Sequence, residues 1–528
     1  MHHPLNETPV GRLLPAAPMR SLAVFLPFIL AAACAAPATS ASTPAAVPEL
    51  PTPSDSAGAL PDPDPAGVPR SAAEQPGQEP VGMGVPLVAW NSELGQYELQ
   101  LVDPRSGYTF KDRPPIPLSS RADYALNTAL SPDGDLLAVI SGVGKACESY
   151  LEGVSCWPSA DSLRLIDLRT WREVETDLAA QFPPAYPPFK GWATNLVFRQ
   201  DARQLALTYH ERSLTTLALF DAQTGVLIAT RLLDLRPRLV DFSADGSALA
   251  IYGSPVAESP GMTQPGPPSA LLLDGGTLEV QWKTLLPSVL DGTWCRESCA
   301  ELNEDTRMVY WSPAVMFDPQ RNRLHILHAD EDRLTTVDLQ ARRARTLEIG
   351  AVQTWIERLL ALTAGVAEAK YWPEGGYRSG VLSLDGGRIF SVGRTVDLVA
   401  DASGEWSANE TSLGLTVIEA DTGGELATRE SSASRIRSSL DHSYLILDWG
   451  LTGSIEVLDA ETLEVVGEVE GWEVLPGRRI DGQEVFLLAS QTGERLDSPT
   501  RMAILTPEPF EFLTPWSVSG LAFWVPSP

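Results

Sequence analysis

One arrangement recurs from Val85 almost to the end of this 528-residue chain, and it restricts the fold more than any other feature. It is a pair of β-type runs joined by a short polar turn, and it comes in two alternating forms. The first form reads ALSPDGDLLAVI over 129–140, VFRQDARQLAL over 197–207, DFSADGSALAI over 241–251 and VMFDPQRNRLHI over 315–326. Looser copies are VLSLDGGRIFSV over 381–392 and SSLDHSYLIL over 438–447. Asp-Gly or Pro-Asp between such runs is a hairpin signal. In the second form an alternating strand ends in an acid, turns and returns, as in LRLIDLRTWREV (163–174), LALFDAQTGVLIA (217–229) and LLLDGGTLEVQW (271–282). The acids read at this position are Asp103, Asp167, Asp221, Asp274, Asp338, Asp421 and Asp459, spaced about 40 to 80 residues apart. Together the two forms make a unit of four strands. A lone sheet of that size cannot bury both faces, whereas radial stacking gives every sheet a neighbour on each side.

The SPDGDLLAVI units resemble WD40-like and TolB-like repeats, and the LRLIDLRTWREV units resemble YVTN-type propeller repeats, over roughly 85–524. The Trp-Asp and Gly-His pairs of strict WD40 repeats are not evident. The resemblance implies an all-β propeller of four-stranded blades, eight by count, or seven if one weak unit is irregular. Residues 85–110 offer VPLVAW, YELQLVD and YTF, three strands without an inner one, and the C-terminal VSGLAFWV has the inner-strand pattern. The expectation is one blade shared by the two termini, which closes the ring and removes its open edges.

Ahead of the propeller lies an address. Residues 21–32 form an apolar run that fits a signal-peptide core and is short for a membrane span, with Arg20 as its positive flank. Ala31, Ala32 and Ala33 precede Cys34, and this stretch resembles a bacterial lipoprotein signal in which the cysteine thiol carries a diacylglycerol. Ala31 departs from that pattern, which most often has Leu there. Translation from Met19 would give a compact signal and leave His2 and His3 outside the product. Residues 34–84 are rich in Ala, Pro, Ser and Thr and carry almost no large apolar side chains, so they read as a lipidated, extended tether that cannot offset its own ordering entropy. The division expected is therefore a signal peptide over 1–33, an anchor and linker over 34–84 and a propeller over 85–528, held on the extracytoplasmic side of the cell membrane by the lipid.

Two features interrupt the β rhythm. VQTWIERLLALTAGVAEAKY over 352–371 has Trp355, Leu359, Leu362 and Val366 at helical spacing and reads as one helical insertion between blades. Four cysteines besides Cys34 sit in insertions: Cys147 and Cys156 in one, Cys295 and Cys299 in another. Export makes disulfides the expected state, local pairs are the most economical, and four cysteines allow three connectivities. The Cys295–Cys299 spacing also suits a metal, but no histidine lies near it in sequence, so no metal is assigned.

No catalytic constellation stands out. There is no GxSxG elbow, no DxDxDG calcium loop and no glycine-rich loop leading into a helix. Of the histidines His210, His325, His328 and His442, the pair 325/328 falls on opposite faces of a strand and reads as edge or surface placement. Asp330, Glu331 and Asp332 read as a solvated acidic turn rather than a Ca²⁺ site. Trp157, Tyr186, Trp294 and Trp372 lie near loops and are candidates for a binding patch, with turn packing as the plainer role. A net charge of −29 disfavours nucleic acid. The expectation is an exported, lipid-anchored propeller without cofactor that binds or scaffolds an envelope or extracellular protein or glycan without catalysis. The alternative is an extracellular glycoside hydrolase or lyase using carboxylates that converge in the channel.

Overall fold

The computed structural model describes residues 84–91, 93–103, 108–119, 127–142, 145–150, 153–182, 191–211, 214–255, 266–295, 308–350, 374–400, 406–449, 454–480, 483–491, 500–507, 510–518 and 522–524. The expected signal peptide, Cys34, nearly all of the linker and the helical insertion at 352–371 lie outside these described residues.

The chain forms an all-β propeller of four-stranded blades. Six blades, arranged in a ring, each come from one stretch of chain, over 127–177, 192–233, 235–285, 314–348, 435–470 and 473–518. Besides the separate two-stranded hairpin of Lys145–Tyr150 and Gly153–Pro158, two further sheets depart from that regular form. One combines Val85–Asn91, Gln96–Val102 and Ile116–Ser119 with the C-terminal Ala522–Trp524, which pairs antiparallel with Val85–Asn91. The termini therefore share a sheet, as the strand inventory of the two ends anticipates. Its outermost strand is Ile116–Ser119 and not the YTF segment: of that segment only Thr109 bridges, to Val102. The other sheet keeps blade order through Glu374–Leu382, Arg388–Ala400, Leu415–Glu419 and Glu425–Arg429, and gains Gly292–Cys295, Met308–Ser312 and Trp406–Ser412 at its margins.

Successive sheets are joined by buried apolar clusters. Leu99 packs in one cluster with Leu137, Leu163 with Phe220, Leu219 with Ile251, Tyr252 with Ile326, Leu334 with Ile389, Val417 with Leu445, and Ile446 with Phe486. This is why the second and third strands read as nearly continuous apolar runs. Leu205 to His210 and Leu217 to Phe220 are buried without a break, because both faces of a middle strand meet a neighbouring blade. Fourth strands alternate between exposed and half-buried, as in Arg172–Asp177 and Val465–Glu470. The first strands of neighbouring blades touch, Asn127–Leu130 against Trp192–Phe198 and Glu374–Leu382 against Arg435–Ser438 among them, which sets them innermost.

Antiparallel order sorts the connections by end. Turns joining first to second and third to fourth strands share one end of the ring; connections from second to third strands and from blade to blade share the other. The first set is tight and stereotyped. Ser131, Ser243, Ser383 and Ser439 each donate to the carboxylate two residues on, at 2.5 to 2.7 Å, and the next residue takes a left-handed conformation. Glycine holds that position at 134, 246 and 386, as a positive φ demands, but His442 holds it with φ 59°. Its Nδ1 lies 2.8 Å from the Leu382 carbonyl of the adjacent sheet, a bond that offsets the strained backbone. In the third-to-fourth turns, Asp167, Asp221, Asp274 and Asp459 each accept backbone N–H groups from the second and third residues beyond. The side-chain and backbone bonds from Thr224 hold the Asp221 carboxyl below its ordinary range.

The acid at this position in the 374–429 sheet is Glu419, not Asp421. The Glu419 carbonyl accepts the Gly423 N–H at 2.8 Å and its carboxylate accepts the Thr422 hydroxyl. The strand ends two residues earlier than the repeat pattern suggests, so Asp421 is left exposed, paired with Arg323 at 2.8 Å and Arg345 at 3.6 Å.

By the strand ends that bound them, the long connections belong to the opposite end. They include 142–161, 183–191, 256–268, 286–313, 349–373, 401–414 and 492–499. Among the described strands, the long connection at the tight-turn end is 103–115.

Candidate functional site

Two concave features among the described residues lie at the end that carries the long connections. The smaller, about 240 Å³, is lined by the innermost strands around Arg238, Pro313, Arg378 and Gly380. Its cations are ion-paired. Arg238 pairs with Asp291 and donates to Ser312 Oγ at 3.0 Å, and Arg378 Nη2 pairs with Asp332 at 2.6 Å, so each guanidinium ties one blade to the next. Asp291 is buried, and desolvation pushes its carboxyl up in spite of Arg238; the Tyr252 phenol beside it is raised as well, by its own burial.

The larger feature is a groove of about 890 Å³ between the 374–429 and 435–470 sheets. Ser412, Ser431 and Ser432 form one wall and Trp449, Ser454, Glu456 and Glu468 the other, with Arg429 between them. The wall is fixed by its own hydrogen bonds. Ser412 Oγ donates to the Ser431 carbonyl, the Trp449 indole N–H donates to Ser432 Oγ at 2.7 Å, and Arg394 Nη2 donates to the Ser432 carbonyl at 2.8 Å. Glu456 and Glu468 stand directly opposite each other on adjacent strands, an arrangement that repels when both are ionised. Glu456 is buried and its relief comes from the next blade, where Arg429 Nη2 pairs with Glu456 Oε1. Arg429 Nη1 is buried without a hydrogen-bond partner.

None of these groove residues follows from the turn motifs. A signal exists in hindsight. Three residues before the strand-end acid, the 192–233 and 235–285 blades carry Ala218 and Leu271, but 127–177 carries Arg164 and 435–470 carries Glu456. Arg164 is matched by Glu173 on its neighbouring strand, with Nη2 2.6 Å from Oε2. Glu456 faces another glutamate.

The residues singled out from sequence do not converge. Cys147 and Cys156 are direct partners across the hairpin Lys145–Tyr150 and Gly153–Pro158. Cys295 ends the strand Gly292–Cys295 opposite Met308, and Cys299 lies outside the described residues. Trp157 is opposite Ala146 on the same hairpin and Trp294 is half-buried, while Tyr186 and Trp372 are outside the described residues. Among the described residues no group of three or more His, Cys, Asp and Glu could hold a metal ion, and no helix is long and apolar enough to cross a membrane.

The surface placement expected for His325 and His328 is overturned: both are buried, at 1% and 0% exposure. The alternation argument assumes a sheet wet on one face, and a middle strand of a blade is dry on both. His328 Nε2 meets Thr335 Oγ1 at 2.8 Å, His325 Nδ1 meets Thr336 Oγ1 at 3.3 Å, and His210 is held between Thr194 and Thr215 and stacked on Trp192 with ring centroids 5.4 Å apart. The acidic turn is largely solvated: Glu331 and Asp332 are exposed, paired with Arg333 and Arg378, while Asp330 is half-buried.

Burial lowers His210 to about 3 and His325 and His328 to about 4. The unfolded chain, with histidines near 6.5, then binds more protons than the folded one between those values. The stability from these neutral histidines is fully present above pH 6.5 and is lost as pH falls toward 4. Urea midpoints should therefore drop from pH 7 to pH 4.5, and His328→Gln, which cannot take up a proton, should flatten part of that drop.

No protein-family model and no curated protein sequence matches the chain. Solved structures similar to it include the dihydro-heme d1 dehydrogenase NirN in complex with DHE, at 13% identity over 86% of this chain and 79% of that one with a TM-score of 0.48. The Dos1 propeller is similar at 9% identity over 75% and 86% of the two chains with a TM-score of 0.45. BamB from Moraxella catarrhalis is similar at 9% identity over 81% and 95% with a TM-score of 0.37. At such distances function is argued from the site and not from the likeness.

Proposed function

We propose that this protein is an exported, lipid-anchored binding or scaffolding module of the cell envelope, and that its partners, protein or glycan, are met without catalysis at the end of the ring that carries the long connections. One observation supports this reading above the others: the two ends differ. The tight-turn end repeats one hydrogen-bonded design, whereas variable connections and both concave features share the opposite end, where a rigid ring can present them. Within this reading the composite and enlarged sheets act as the seventh and eighth blades, Cys147 and Cys156 form a disulfide that pins their hairpin, Cys295 and Cys299 form a second, and the diacylglycerol sits on Cys34. The net charge of −29 argues against nucleic acid as the partner.

The test is capture from intact envelopes with the tagged full chain. Trp449→Ala or deletion of 145–158 should reduce recovery of a reproducible partner, and Gln223→Lys on the tight-turn end should leave it unchanged; equal loss from both ends would contradict the reading. Cys34→Ser should release the protein from the membrane fraction. The second reading, an extracellular enzyme acting on sugars, draws support from Glu456 and Glu468, two carboxylates side by side in a concave groove.

A further inference from the structure

We infer that the groove between the 374–429 and 435–470 sheets is a saccharide-binding site for neutral or amino sugars; this rests on the binding reading above and names the ligand class for one place on that face. The chemistry of the lining selects the ligand. Sugar rings present an apolar C–H face and a rim of hydroxyls, each both donor and acceptor. The groove offers one half-buried aromatic, Trp449, whose indole N–H is engaged by Ser432 and which packs on the Val417 and Leu445 cluster, so the ring is held in place rather than free to swing. The lining also supplies donors and acceptors: the Arg429 guanidinium, the Glu456 and Glu468 carboxylates and the Ser431 and Ser454 hydroxyls.

One feature lacks a structural purpose without a ligand. Glu456 and Glu468 face each other, where the 127–177 blade sets Arg164 opposite Glu175 and pairs its guanidinium with Glu173. Vicinal hydroxyls answer this: their O–H donors can bridge the two carboxylates. Charge narrows the class. With Arg429 set against Glu430, Glu456 and Glu468 the lining carries a net −2, which repels uronic, sulfated and phosphorylated sugars. The groove volume, about 890 Å³, exceeds a single sugar ring and suits a short oligomer.

The experiment is calorimetric titration of the full chain with cellopentaose, maltopentaose and chitopentaose, with oligogalacturonate as the anionic control, and an assay of new reducing ends in each mixture. At least one neutral or N-acetylated oligomer should bind, and oligogalacturonate should not. Trp449→Ala should weaken binding at least tenfold and Trp449→Phe by less. Glu468 is exposed, so Glu468→Gln should keep the fold and still weaken binding several-fold. No binding to any of the neutral oligomers, binding indifferent to both Trp449→Ala and Glu468→Gln, or preference for the anionic oligomer would overturn the inference. If titrations are flat while envelope capture still depends on this end of the ring, the binding reading stands and the saccharide site falls. If the bound oligomer gains reducing ends in a manner abolished by Glu456→Gln, the ligand class stands and the non-catalytic reading falls.

Discussion

Replacing Phe220 with alanine should destabilise the ring by about 3–5 kcal/mol, among the largest effects open to a single apolar truncation. Phe220 is fully buried on the third strand of the 192–233 blade, paired with Leu205 and Leu227 and packed in the cluster that joins this blade to 127–177 through Leu163 and Leu165. Neighbouring sheets meet face to face there, so the cavity is bounded by backbone that cannot collapse without moving a whole blade. Ile228, one strand outward and 45% exposed, is the control, and its alanine variant should stay within about 0.5 kcal/mol of the parent. Urea midpoints of the two variants measure the difference. Equal small losses would mean that blade-to-blade packing is not what holds the ring.

Arg238→Ala should cost about 3 kcal/mol, the low end for breaking a buried ion pair, because Arg238 is 37% exposed while Asp291 is 3% exposed. Most of the loss comes from the partner left behind: a carboxylate beside the Tyr252 phenol with no cation. The sign with pH follows. Asp291 already has a raised folded-state pKa, and removing Arg238 takes away the interactions that oppose the rise. The folded state then holds a proton that the unfolded state has released, so the variant's stability falls as pH rises through that folded pKa and recovers as pH drops below it. The deficit against the parent should therefore be larger at pH 7.5 than at pH 5. Pairing Arg238→Ala with Asp291→Asn should recover part of it, since an amide costs less to bury than an unpaired charge. A deficit that is flat with pH and unrelieved by Asp291→Asn would show that Arg238 acts through packing alone.

The propeller is legible in the chain because its turns are written in local chemistry. Ser131 to Gly134, Ser243 to Gly246 and Ser383 to Gly386 each need only their own residues to form, and the two ends carry complementary strands that meet in one sheet. Errors arise where a neighbouring blade decides. Burial on both faces of a middle strand carries no periodicity, so His325 and His328 read as surface residues although they are buried. The tie from His442 to Leu382 depends on a sheet sixty residues away in sequence. Asp421 takes the place of Glu419 in the repeat pattern because strand ends are set by pairing, not by the spacing of acids. The groove was least legible of all. Trp449, Arg429 and Glu456 come from two sheets, and only the ring brings them together.

The closed ring itself is tested most directly by trapping its seam. Val88 is the register partner of Phe523 and Ala89 of Ala522. In an antiparallel ladder adjacent pairs alternate between hydrogen-bonded and closer non-hydrogen-bonded positions, so one of these two pairs brings its Cβ atoms near disulfide reach. Cysteines placed as Val88→Cys with Phe523→Cys, and separately as Ala89→Cys with Ala522→Cys, should give in at least one case a reductant-sensitive link between N- and C-terminal peptides by mass spectrometry. The same oxidation should leave a Val88→Cys with Gly471→Cys control unlinked. If neither seam pair links in the folded protein, the two termini do not share a sheet, and the ring falls with them.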